Sequence, residues 1–170
     1  EGIVHSILFE DVVNSAKPGD LIISRLRAPI VLLVFSFIDK NIKVQIHEDE
    51  VREIINEIKN IFKQNELNQI ISSLSYGFDD LKTEVMNRWN WIIQKNSERI
   101  TDSTERNLYV ENEKKYLEKK LDFLHKKYEQ WKNDCDTLND ILKRIKDYIS
   151  ATDNAIKLST IHRAKGLENK

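Results

Sequence analysis

The sequence predicts an α/β domain whose sheet is interrupted by a long helical insertion. Near the N-terminus, two short β-type apolar runs enclose an apolar helical run within roughly 26 residues, the size of a parallel crossover unit. A stretch of about 100 residues follows in which apolar side chains recur at steps of three and four, the period of an amphipathic helix. An alternating apolar run then returns at residues 156–161.

The first part of the predicted domain is residues 1–47. Its expected elements are a strand at residues 3–9, a turn at 17–20, a strand at Leu21–Ser24, a helix from Pro29 to about Lys40 and a strand at 44–46. Pro29 suits the first position of a helix, because the N–H that proline lacks would have no intrahelical partner there. Asn41 is expected to end that helix, and the alternation of apolar and polar side chains after it predicts the last strand.

The second part, residues 48–151, is predicted to be a helical insertion subdomain. Its expected helices lie at residues 51–62, from about Glu66, at 78–93 and along 110–149. The last segment keeps a seven-residue apolar rhythm, which is compatible with one long helix. We favour two helices with a break at 133–136, because Asn and Asp compete with helix in favour of caps, and Asp136 or Thr137 would cap the second helix.

The third part, residues 152–170, returns to the sheet. Ile156, Leu158 and Thr160 alternate, and Ile161 stands one step off this pattern. We expect a strand at 157–161 to join the strands at Leu21–Ser24 and 44–46 in one mostly parallel sheet, with residues 51–149 as a separate helical lobe.

Composition and charge exclude several kinds of protein. The chain has 27 basic and 28 acidic residues, so any site for a polyanion must be local. The single cysteine, Cys135, excludes an internal disulfide framework and leaves no zinc-ligand spacing, so no metal site is expected. The longest apolar run, residues 30–38, is too short to span a bilayer. We expect a cytoplasmic protein, monomeric and without a membrane partner.

The glycines also exclude a phosphate-binding loop. None of the four begins a Gly-Lys-Ser or Gly-Lys-Thr triplet, so the sequence contains no P-loop. On its own, the chain is therefore expected to bind ATP weakly or not at all and to be inactive as an ATPase.

Two segments carry motifs that can be compared with a known family, GDLIISRLRAPIV at residues 19–31 and STIHRAKGLE at 159–168. The second resembles motif V of the UvrD/Rep/PcrA family of superfamily 1 DNA helicases, roughly apolar-Thr-apolar-His-x-Ala-Lys-Gly-Leu-Glu. The first looks like motif IV, in which an apolar strand ends in an arginine, here Arg25. The chain departs from the family at Arg27, where asparagine is usual, and at residues 47–50, where HEDE stands in place of the Gly-Arg-Asp-Ile-Gly segment of some relatives.

The resemblance implies a fold and an activity. The chain would be part of a RecA-like parallel sheet, the second motor domain of an ATP-dependent DNA helicase, with a reduced helical subdomain inserted between the two motifs. The P-loop would lie on the first motor domain of the same protein, which this sequence lacks. ATP and Mg²⁺ would be the cofactors of the full-length enzyme, and single-stranded and duplex DNA its partners.

The resemblance also implies roles for six residues. Arg25 would be the arginine finger, since a guanidinium neutralises the charge that spreads over the γ-phosphate oxygens; the alternative is a surface arginine that caps a turn. Gly166 and Glu168 would face the nucleotide together with Arg25. The remaining three, placed at the DNA, are Thr160, His162 and Lys165. Lys165 could serve either ligand or be a solvated lysine.

The insertion leaves further alternatives open. Its three tryptophans, Trp89, Trp91 and Trp131, could stack on bases or form the core of the insertion, which their helical spacing favours. The paired lysines along residues 114–127 could contact duplex phosphates or belong to a plain solvated face, which the interleaved acidic residues favour. A rival function is a coiled-coil-like protein-interaction module at 110–149 with no motor activity.

Overall fold

The computed structural model describes residues 9–69, 77–149 and 154–164. These residues form eight helices and a small three-stranded sheet. In chain order the elements are α1 (Phe9–Ser15), β1 (Leu21–Ser24), α2 (Arg27–Asp39), β2 (Val44–Gln45), α3 (Glu48–Lys59), α4 (Gln64–Asn68), α5 (Phe78–Ser97), α6 (Ser103–Trp131), α7 (Leu138–Tyr148), β3 (Ile156–Thr160) and α8 (Ile161–Ala164). The chain is therefore mostly helical, with an α/β part at both ends of the described sequence.

The three strands form one parallel sheet in the order β1-β3-β2. In the register of this sheet, Ser24 lies opposite Thr160 and Val44 lies opposite Ile156. The prediction of one parallel sheet that brings together the early and late parts of the chain is confirmed. The assignment of Ile161 to the strand was wrong: β1 ends at Ser24, opposite Thr160, so the ladder has no partner beyond that point and Ile161 begins α8.

Helix α2 packs against all three strands. It is apolar nearly all the way round, as expected of a helix buried between other elements, and seven of its residues are buried. It begins at Arg27, so Pro29 is its third residue and not its first; proline is tolerated there because the first four N–H groups of a helix have no intrahelical partner.

The end of α2 and the turn before β1 have the backbone conformations that their residue types predict. Asn41 takes a left-handed conformation at φ 57°, and the N–H of Ile42 donates to the Phe37 carbonyl at 2.9 Å, which is a Schellman end. In the turn at 17–20, the Asp20 N–H donates to the Lys17 carbonyl at 3.0 Å, and Gly19 has φ 95°, a value that favours glycine. Both predictions are confirmed.

The predicted strand at residues 3–9 falls almost entirely outside the described residues, and at Phe9 it was wrong. Phe9 begins helix α1, whose apolar residues Phe9, Val12 and Val13 follow the helical period. Glu10 and Asp11 lie in its first turn, where negatively charged side chains interact favourably with the helix dipole and stabilise the helix.

The chain divides into two compact units. We call Glu1–Arg52 with Ile145–Lys170 the sheet unit and Glu53–Arg144 the helical unit; the boundaries fall within α3 and α7. The long apolar rhythm in the helical unit belongs to two helices. They are separated at residues 132–137, and Thr137 caps α7: the Asp140 N–H donates to Thr137 Oγ1 at 3.2 Å, and the Thr137 N–H donates to Asp140 Oδ2 at 3.0 Å.

Candidate functional site

The candidate site lies where β1 and β3 end. Because the two strands are parallel and Ser24 lies opposite Thr160, their carboxyl ends meet at the same edge of the sheet. Arg25 follows β1 directly, and His162 is the second residue after β3. We call Arg25, Glu50, Thr160 and His162 the carboxyl edge. In open parallel sheets this is the edge at which ligands bind.

Arg25 lies exposed in a local turn. It lies between the last residue of β1 and the first turn of α2, and it is exposed. The N–H of Leu26 donates to Ser24 Oγ at 3.2 Å, a hydrogen bond that stabilises the turn. Because Arg25 is exposed, a ligand can reach it. Five N–H donors in a planar fork suit a phosphate.

Thr160 contacts a carboxylate that the sequence analysis did not single out. Its Oγ1 donates to Glu50 Oε1 at 3.3 Å, and Glu50 is 5% exposed. Glu50 is the third residue of α3, the helix that follows β2. A signal for this residue was present in the sequence, because the helix after a parallel strand begins at the carboxyl edge, and its first turn therefore lies beside the ends of the neighbouring strands.

His162 is exposed in α8. The other predicted site residues, Lys165, Gly166 and Glu168, lie outside the described part of the chain. Of the six predicted positions, the structure describes Arg25, Thr160 and His162 and brings them to one edge of the sheet.

The first turn of α3 gives the carboxyl edge an acidic flank. Glu48 accepts a hydrogen bond from Arg52 at 2.6 Å, and this bond and the charge of Arg52 hold the pKa of Glu48 below its usual range. The same interactions raise the pKa of Arg52. Asp49 lies 3.4 Å from His47 and 3.9 Å from Arg52. A polyanion would therefore meet favourable charge on the Arg25 side of the edge and unfavourable charge on the α3 side.

A groove of about 440 Å³ lies along the sheet within the sheet unit. It is lined from all three strands and from the segment after β2, with Leu21, Gln45, His47, Lys157 and Ser159 among its residues. A second cavity, of about 290 Å³, lies within the helical unit, where Trp89, Tyr116 and the ion pair of Lys120 with Glu57 line it.

The described residues offer no group of three or more His, Cys, Asp or Glu side chains that could hold a metal ion. In the same part of the chain, no helix combines the length and the apolar character that crossing a membrane requires.

The tryptophans of the insertion differ from one another. Trp131 is 4% exposed and belongs to the core, and Trp89 is half-buried with its Nε1 donating to the Ile61 carbonyl at 2.9 Å. Trp91 is 65% exposed, so the core interpretation was wrong for this residue; it lies on the outer side of α5 with Lys95 Nζ 5.0 Å from its ring centroid.

The lysine pairs on α6 do not form a plain solvated face. Lys120 and Lys127 are buried, whereas Lys119 and Lys126 are exposed. Each buried ammonium has an aromatic and a polar partner. Lys120 Nζ lies 3.7 Å from the Tyr116 ring centroid and pairs with Glu57. Lys127 Nζ lies 5.4 Å from the Trp131 centroid and donates to Gln130 Oε1 at 3.0 Å.

No protein-family model, curated protein or solved structure matches the chain. The resemblance to a helicase family therefore depends on the two motif-like segments and on where the fold brings them.

Proposed function

We propose that this chain is the second RecA-like motor domain of a UvrD/Rep/PcrA-type DNA helicase, with a reduced helical subdomain inserted in it. The full-length enzyme would couple ATP hydrolysis to movement on single-stranded DNA and to unwinding of duplex DNA, as a cytoplasmic monomer. One observation carries the proposal. The two segments that resemble motifs IV and V are separated by more than a hundred residues in the chain. The first contains β1, the second begins with the last two residues of the adjacent parallel strand β3, and both strands end at the same edge of the sheet.

The adjacency of the ends of β1 and β3 supports a role in coupling ATP hydrolysis to the DNA contact. Arg25 would reach across a cleft to the γ-phosphate of an ATP held by the first motor domain, and Thr160 and His162 would contact the single-stranded DNA backbone. Because these residues lie at or directly after the ends of two neighbouring, hydrogen-bonded strands, a shift of one strand end would be passed to the other. ATP with Mg²⁺ would supply the reacting phosphoryl group and its neutralising cation, while Arg25, Gly166 and Glu168 would be this chain's contribution to binding it.

The interaction-module alternative is less well supported. A coiled coil needs a free apolar stripe, but Leu117, Leu121 and Leu124 on α6 are already buried. These side chains therefore pack within the chain and do not form a free stripe for a partner helix.

The proposal is tested by steady-state ATPase measurements on the full-length protein, with and without a single-stranded oligonucleotide. Arg25→Ala should lower turnover about 10³-fold, equivalent to about 4 kcal/mol of barrier, while nucleotide affinity changes much less. Arg25→Lys should restore part of the rate, since an ammonium keeps the charge but loses the planar fork. Arg99→Ala, which removes an exposed arginine from the helical unit, is the matched control and should be neutral.

His162→Ala should give the opposite pattern, with weaker single-strand binding and poor stimulation of a largely intact basal ATPase. Near-normal turnover of Arg25→Ala would refute the arginine finger and leave Arg25 as a surface residue. Calorimetric titration of the chain on its own with ATP should show weak binding or none, and micromolar affinity would contradict the assignment of the P-loop to another domain.

A further inference from the structure

Glu50 is a buried carboxylate at the carboxyl edge. Its contact with Thr160 joins the first turn of α3 to the last residue of β3, positions 110 residues apart in the chain. We propose that Glu50 competes with single-stranded nucleic acid for the hydroxyl of Thr160 and thereby limits the strength of the DNA contact. This inference rests on the proposed DNA-binding role of Thr160.

The competition follows from what each group can donate and accept. A threonine hydroxyl has one O–H donor and two lone pairs, and a carboxylate oxygen accepts. In the structure Thr160 donates to Glu50, so the lone pairs are what it can still offer a ligand. A phosphodiester oxygen is itself an acceptor. The Thr160 hydroxyl must therefore turn away from Glu50 before it can donate to DNA.

The geometry of the contact suits such an exchange. Hydrogen bonds between oxygens are usually about 2.7–2.8 Å long, and the Thr160–Glu50 bond, at 3.3 Å, is longer than this, so a ligand can displace it. Glu50 also opposes an approaching phosphate by charge, and Glu48 and Asp49 lie in the same turn of α3. Arg52 pairs with those two residues and offsets part of their charge.

The substitution that isolates this effect is Glu50→Gln. Glutamine keeps the shape of the side chain, removes the negative charge, and can donate its amide N–H to the Thr160 oxygen, which frees the hydroxyl proton for a phosphate. The affinity of the chain for single-stranded DNA should rise about five-fold, the contribution of one hydrogen bond. Glu50→Met removes the acceptor altogether at similar volume and should also tighten binding. It is the second variant to use if Glu50→Gln alters the fold.

The test is a double-mutant cycle on the whole chain, with fluorescence anisotropy of a labelled oligo-dT as the readout. The proteins are wild type, Glu50→Gln, Thr160→Val and the double variant, with thermal melts to show that each is folded. Asp49→Asn removes the same charge from the neighbouring residue and is the matched control. Glu50→Gln should tighten binding in the wild-type background and change it less than two-fold when Thr160 is valine. The gain should persist at high salt, which screens long-range charge effects.

An equal gain in both backgrounds, or an equal gain with Asp49→Asn, would show a general charge effect and overturn the inference. A loss of affinity in Glu50→Gln would overturn it as well, since Glu50 would then support the contact and not compete for it. If no variant binds oligo-dT, the DNA-binding role of Thr160 fails and the inference fails with it. Binding by wild type with no response to Glu50→Gln refutes the inference and leaves the proposed function standing.

Discussion

The sheet unit and the helical unit differ in how they use charged and aromatic side chains. In the helical unit several such groups are paired inside the fold. Arg88 donates two hydrogen bonds of 2.9 Å to Glu66, and the Trp131 ring has Lys127 Nζ 5.4 Å and Arg144 Cζ 4.9 Å from its centroid. In the sheet unit, by contrast, Arg25 and His162 are exposed.

Charged and aromatic residues therefore have two roles that the sequence alone does not distinguish, stabilising the fold and binding a ligand. A buried ionic or aromatic pair fixes one arrangement of helices, and removing a partner leaves a desolvated group without compensation. An exposed group at a strand end adds little to stability and is available to a ligand. Substitutions in the buried pairs of the helical unit should therefore change the free energy of unfolding, whereas those of exposed residues at the carboxyl edge should change binding and turnover.

Trp131→Ala should have the largest effect on stability. Trp131 is 4% exposed and ends α6, so its removal opens a cavity and takes the ring away from two cations. We expect a loss of about 3–5 kcal/mol in the free energy of unfolding, measured by urea titration. Leu108→Ala, which truncates an exposed side chain of the same helix, should stay within about 0.5 kcal/mol. Equal losses for the two variants would remove the basis for treating Trp131 as core.

Glu66→Gln should have the next largest effect, and it should depend on pH. Burial alone would raise the pKa of Glu66, but hydrogen bonds from Arg88 and from the Lys63 N–H, with the positive charge of Arg88, more than offset it and hold the pKa below 4.5. Because Arg88 is partly exposed, we expect a loss of about 2 kcal/mol at pH 7, less than for a fully buried pair.

The sign of the pH dependence follows from the lowered pKa. The stability that Glu66 contributes is fully present above pH 4.5, its ordinary value, and is lost as the pH falls through the lower pKa of the folded state. Wild type and Glu66→Gln should therefore converge in stability as the pH falls below 4.5, in urea titrations at a series of pH values. Glu48→Gln, in an exposed pair with Arg52, should give no measurable change at pH 7. A constant difference between wild type and Glu66→Gln at all pH values would contradict this account.

Features that depend on a few neighbouring residues could be predicted from the sequence. The turn at Gly19, the helix end at Asn41 and the cap at Thr137 each follow from the conformational or hydrogen-bonding preference of a residue type. The parallel sheet could also be predicted, since its strands were visible as apolar runs and parallel pairing brings Arg25 and Thr160 to one edge.

Contacts between distant segments were not predictable in the same way. The bond between Glu50 and Thr160 depends on the lengths of β2 and β3 and on the start of α3, which set where the first turn of the helix meets the strand end. The burial of Lys120 and Lys127 depends on aromatic rings one turn away on the same helix, together with a partner on α3 for Lys120. Amino-acid type alone predicts an exposed lysine, and packing overrides that preference here.

Trp91→Ala should have the smallest effect and gives the sharpest test of the difference between the units. Trp91 is 65% exposed, and the Lys95 ammonium lies 5.0 Å from its ring centroid, so the free energy of unfolding should change by less than about 0.5 kcal/mol. If nucleic acid is bound by the carboxyl edge, affinity for labelled oligo-dT should stay within two-fold of wild type. Stacking of a base on Trp91 would contribute about 1–3 kcal/mol, and its removal would weaken binding by roughly five-fold or more. Lys95→Ala is the companion variant, since it removes the neighbouring charge and leaves the ring. A loss in both variants, without a change in stability, would establish a second nucleic-acid contact on the helical unit and end the simple division of roles between the two units.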